Sequence, residues 1–110
     1  MPGRRNKARG YELEAETVRH WQNLGVECKR VFASGAYKQQ LGDEFAGDLM
    51  LSGFTVECKR RKSGFSLLYQ SLAQDDADML VVRQDRAERL YIMSEETVET
   101  LFRQAGVLKK

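Results

Sequence analysis

The sequence predicts an α+β fold in which helices cover a small mixed sheet. Three observations predict it: an amphipathic stretch ahead of Gly25, two alternating runs around Ser52-Gly53, and later apolar runs flanked by helical spacing. A chain of 110 residues has room for one core and not for a second, so residues 1–110 read as a single domain. The apolar share of 42% and charged share of 31% fit a globular protein rather than a disordered tail. No run approaches the roughly 20 apolar residues a membrane span needs. Behind Met1-Pro2-Gly3-Arg4-Arg5 there is no apolar stretch of the kind a signal peptide carries, so the expected location is cytoplasmic.

Residues 1–8 read as a flexible basic arm. From about Arg9 to Leu24 the residues Leu13, Thr17, Val18, Trp21 and Leu24 recur at helical spacing, and Gly25 stops the helix. Val26 to Phe32 reads as a strand, and residues 33–47 as a long loop. Asp48–Leu51 and Phe54–Lys59 form two short runs separated by Ser52-Gly53, the pattern of a β-hairpin. A helix from Phe65 to Gln74, strands at Asp78–Arg83 and Leu90–Met93, and a helix from Ser94 to about Gln104 complete an αβββαββα order. Ser94 supplies the N-cap of the last helix.

The hairpin register carries the chemistry. With Ser52-Gly53 as a two-residue turn, Leu51 faces Phe54, Met50 faces Thr55, Leu49 faces Val56 and Asp48 faces Glu57. Opposed residues hold their Cβ atoms roughly 5 Å apart, and like charges there repel unless a cation lies between them. A divalent ion with oxygen ligands meets that need. Alternation puts Asp48, Glu57 and Lys59 on one face, while Phe54, Val56 and Cys58 point into the core. On the first helix, Glu14 falls about 100° from Leu13, inside the apolar stripe, whereas Glu12 and Glu16 fall outside it. A buried carboxylate requires a partner, either an arginine or a metal and its water.

The two cysteines, Cys28 and Cys58, have no zinc-site spacing and read as small buried hydrophobes. Trp21 reads as core and His20 as an exposed polar residue. Arg83, Asp85 and Arg86 read as a turn with surface ion pairs. The net charge of +2 conceals a segregation. Arg4, Arg5, Lys7 and Arg9 crowd one end and Lys59-Arg60-Arg61-Lys62 form a second run, whereas acids gather after residue 74. Such basic clusters suit a phosphate backbone.

Arg9-Gly10-x-x-x-Glu14, Arg30-x-x-x-Ser34-Gly35, Gly47-Asp48-Leu49, Val56-Glu57-Cys58-Lys59 and Ala77-Asp78-Met79-Leu80-Val81-Val82 follow one another in this order. From about Arg9 to Met93 the chain resembles the PD-(D/E)xK nucleases, and among them the archaeal-type Holliday junction resolvases. Gly47 stands where the motif's name has proline, and the loop from Ala33 to Gly47 is longer than that family's connection. The resemblance implies a restriction-endonuclease-like αβββαβ core and a homodimer that hydrolyses phosphodiester bonds in branched DNA, in recombination or repair. It implies Mg²⁺ or Mn²⁺ held by Asp48, Glu57, the Cys58 carbonyl and Glu14, with Lys59 orienting the attacking water or stabilising charge on the phosphate. Arg30 and Ser34 would meet the scissile phosphate or its neighbour. Arg4, Arg5, Lys7, Arg9, Lys38, Arg60, Arg61 and Lys62 would line the DNA path. Two other readings stand beside this one: a nicking, restriction-like or repair nuclease of the same superfamily, and a non-catalytic DNA-binding module that kept the fold.

Overall fold

The computed structural model describes residues 2–31 and 49–108, with side chains from residue 11 onward in the first helix. Helix α1 runs from Pro2 to Asn23, so residues 2–8, expected as a flexible arm, belong to the helix. Arg, Lys and Ala are strong helix formers, and Pro2 is tolerated in a first turn, where its missing N–H has no partner to lose. The expected stop at Gly25 is observed. Gly25 has φ +79° and donates to Gln22 O at 3.0 Å, while Val26 donates to Trp21 O at 3.0 Å. These bonds satisfy carbonyls that the helix end leaves unpaired.

Strand β1 covers Cys28–Arg30, shorter than the run expected from Val26 to Phe32. Strands β2 (Leu49–Leu51) and β3 (Phe54–Val56) form the hairpin in the expected register, Leu49↔Val56, Met50↔Thr55 and Leu51↔Phe54. Ser52 and Gly53 both have positive φ, +50° and +88°, the conformation that matches a two-residue turn to the twist of its strands. The β1–β2 pairing is also antiparallel, with Cys28↔Leu51 and Arg30↔Leu49. Two corrections follow. Strand β3 ends at Val56, so Glu57, Cys58 and Lys59 lie beyond the ladder. Phe54, expected in the core, is 65% exposed, because β3 is the edge strand of the order β1-β2-β3 and its alternation is covered only in part.

These elements belong to a first compact unit, Met1–Arg61 with Val107–Lys110; a second spans Lys62–Gly106. The core of the first is Trp21, Val26, Cys28, Leu49 and Leu51, and the charged Glu14 is buried as well. Gln22 Nε2 donates to Cys28 O at 2.9 Å, tying α1 to β1, and Ser52 N donates to Glu27 O at 2.8 Å. His20, expected exposed, is partly covered and meets Trp21 edge-on at 5.0 Å between ring centres. Cys58 is half-buried rather than buried.

In the second unit, α2 (Ser66–Ala73) runs into a 3-10 turn at Gln74–Asp76. Strands β4 (Met79–Val82) and β5 (Leu90–Met93) pair antiparallel, and α3 (Glu95–Gln104) follows. Ser94 caps α3 as expected, accepting from Thr97 N at 3.3 Å. Arg83 closes the β4–β5 connection by donating to Ala87 O at 2.9 Å. The architecture is α+β. Instead of one mixed sheet, the described strands form two antiparallel sheets, of three strands and of two. Short connections such as Ser52-Gly53 allow only antiparallel neighbours. Among the described residues no helix is long and apolar enough to cross a membrane.

Candidate functional site

Helix α1 places Glu14 on its buried face, one turn before Val18 and two before Trp21, where the side chain is 1% exposed. Apolar neighbours offer a carboxylate nothing, so its partner must come from another element. That partner is Arg30 at the end of β1, whose Nε donates to Glu14 Oε1. The second oxygen, Oε2, is buried and accepts no hydrogen bond. The guanidinium of Arg30 also lies over the Tyr11 ring, with Cζ 4.4 Å from its centre. Burial alone would lower the Arg30 pKa. The hydrogen bond and attraction of Glu14, and then those of Tyr11, outweigh it and hold the guanidinium above its ordinary value. Arg30, expected at a phosphate, donates its Nε–H to this carboxylate.

Glu57 and Lys59 follow the last rung of the hairpin. They pair at 3.4 Å, with side chains 48% and 62% exposed. Both are open to a ligand in solvent. Arg60, in the basic run after them, donates to Glu12 Oε2 at 2.8 Å, an exposed ion pair with α1. Arg61 and Lys62 are exposed. Arg4, Arg5, Lys7 and Arg9 fall in the first half of α1, whose first turn has no acid. Cations there leave the positive end of the helix dipole uncompensated. Asp48, Ser34 and Lys38 lie outside the described residues, as does the whole loop 33–47.

The structure thus brings predicted site residues together in two pairs, Glu14 with Arg30 and Glu57 with Lys59. It adds two residues that the sequence reading passed over. Tyr11 was not singled out, although its position three residues before Glu14 places both on one helix face. Glu12 was set aside as outside the apolar stripe, which is where an ion pair with Arg60 has to form. A separate groove in the second unit, about 1080 Å³, is walled by Phe65, Leu72, Met79, Ile92 and Leu101.

Glu14 Oε2 is thus a buried acceptor without a donor. No family model, no curated protein and no solved structure matches the chain.

Proposed function

We propose that the chain is a Mg²⁺- or Mn²⁺-dependent DNA endonuclease of the PD-(D/E)xK type, acting on branched DNA as a homodimer. The observation that carries this reading is the hairpin. Its ladder ends on the rung Leu49↔Val56, and the exposed Glu57–Lys59 pair follows at once. A carboxylate to ligate and an amine to meet a phosphate oxygen, delivered by one tight turn, are the parts that phosphodiester hydrolysis requires.

Asp48, Glu57, the Cys58 carbonyl and Glu14 would hold the cation. When bound, such an ion supplies Lewis acidity, polarising a phosphate oxygen and lowering the pKa of the attacking water. Lys59 orients that water or offsets the charge that builds on the phosphate. Arg30 holds Glu14 in place through the bond from Nε to Oε1. The basic first half of α1 and Arg60–Lys62 take the DNA backbone without reading its sequence. Glu12 competes with the backbone for Arg60, so part of the DNA contact costs an exposed ion pair, a small penalty.

Cleavage of a four-way junction, a flap, a linear duplex and a single strand, each with Mg²⁺ and with EDTA, tests the reading. Metal-dependent cutting strongest on the junction is expected, lost in Asp48→Ala and Glu57→Ala with DNA binding retained. A chain that binds these DNAs and cuts none of them under Mg²⁺ or Mn²⁺ refutes it.

A further inference from the structure

We propose that β5 is the dimerisation strand of this protein: its edge pairs antiparallel with the same edge of a second copy, about a twofold axis at Ile92, with Arg89 of each copy opposite Glu95 of the other. The inference rests on the proposed homodimer and names its seam. It does not require that the protein cut DNA.

The sheet of the second unit is small. Among the described residues β5 pairs with β4 alone. Two short antiparallel strands are marginal in water, and joining two copies along β5 makes a sheet of four. Edge strands are commonly blunted by a lysine, a proline or an inward charge. Leu90-Tyr91-Ile92-Met93 carries none of these. Its first two side chains are instead open to solvent, Leu90 at 56% and Tyr91 at 59%.

Charge selects the occupant and the register. Backbone groups point alternately to either side of a strand, and residues facing each other across an antiparallel seam both point into it or both away. A strand paired with its own copy therefore has its axis on a residue. With the axis on Ile92, Tyr91 faces Met93, Leu90 faces Ser94, and Arg89 faces Glu95 twice, once on each side. Ser94 is extended, φ −71° and ψ 161°, so the strand line reaches Glu95 before α3 turns away. An axis on Tyr91 sets Arg89 against Met93, and an axis on Met93 sets Tyr91 against Glu95, so neither pairs the charges. Facing opposite charges and a Tyr–Met contact both favour a seam. A second copy supplies both halves of each pair, as a self-complementary interface requires.

Sedimentation equilibrium of the purified full chain tests it, with circular dichroism to follow folding and junction cleavage run alongside. The dimer dissociation constant is measured for the wild type, Arg89→Glu, Glu95→Arg, the double variant, and an equal mixture of the two single variants. Each single reversal sets like charges together twice per dimer and should raise the constant about tenfold. The double variant and the mixture each restore both opposite-charge pairs and should return to within about threefold of the wild type. Arg89 is exposed and lies outside any helix or strand, so Arg89→Glu has to weaken the dimer even if Glu95→Arg does not fold. A wild-type dimer that Arg89→Glu leaves equally tight overturns the proposal and keeps the homodimer. Folded single variants whose weakening neither the mixture nor the double variant recovers overturn it too. A wild type that stays monomeric removes the proposal and the homodimer together, and cleavage then decides the nuclease by itself. The expected charge dependence without cleavage of any DNA sinks the nuclease reading and leaves the β5 seam standing.

Discussion

Arg30 donates its Nε–H to Glu14, and that bond joins β1 to the buried face of α1 through the one buried carboxylate among the described residues. The two ends of the pair differ in exposure, 24% for the arginine side chain against 1% for the glutamate. Removing either partner should therefore have unequal effects. Arg30→Met leaves Glu14 buried without its cation and should cost about 3 kcal/mol, as breaking a buried pair does. Glu14→Gln leaves a cation that can turn towards water and should cost less, about 1–2 kcal/mol. Urea denaturation of both single variants and the double variant gives the coupling directly. Losses equal in size, or an Arg30→Met variant as stable as the wild type, would show that the pair is not held as described.

The hairpin was legible because its signal is local. Ser52-Gly53 can supply two positive φ values with little strain, and the flanking alternation admits one register. Ser94 was legible for the same reason, since a cap needs only its own hydroxyl and the next turn. What the pattern missed depends on distant partners. The strand after Ser52-Gly53 alternates as far as Lys59, yet among the described residues the ladder runs only to Val56. The burial of Glu14 could be read from the helical wheel. Its partner could not, because an arginine and a metal meet the same need.

The turn offers a clean test of register. Gly53 has φ +88°, and a Cβ added there meets nothing within 4 Å, so Gly53→Ala is charged for backbone strain alone. That strain is about 1–2 kcal/mol for a residue with a side chain in the left-handed region. Ser52, at φ +50°, should gain a few tenths of a kcal/mol on replacement by Asn, which tolerates this conformation better. Thermal unfolding of the two variants should move in opposite directions. Shifts of the same sign would mean that the turn does not adopt this conformation in solution.

Burial raises the Cys28 thiol above its ordinary value of 9.0. The fold therefore prefers the neutral thiol, and the sign of the pH effect follows. The contribution is complete below the pKa of the unfolded thiol and is lost as pH climbs through the higher folded value. Wild-type stability should fall from about pH 9 upward with a component that Cys28→Ala lacks. Below that pH, Cys28 should resist alkylation by iodoacetamide until the chain is unfolded. Rapid modification of Cys28 in the native chain at pH 8 would contradict its burial.

Glu57 and Lys59 separate stability from activity. Their mutual contact is exposed, and such pairs contribute about 0–1 kcal/mol, so Glu57→Gln and Lys59→Met should unfold within about 0.5 kcal/mol of the wild type. If the pair serves phosphodiester hydrolysis, each variant should lose about a hundredfold or more in cleavage rate, the usual consequence of removing a group that meets charge in the transition state. Junction binding should survive, because the backbone contacts come from other residues. Raising Mn²⁺ should recover part of the Glu57→Gln loss, which is a ligand defect, and none of the Lys59→Met loss, which is not. Equal rescue of both variants by metal would remove Lys59 from the chemistry, and full activity in both would remove the hairpin from it altogether.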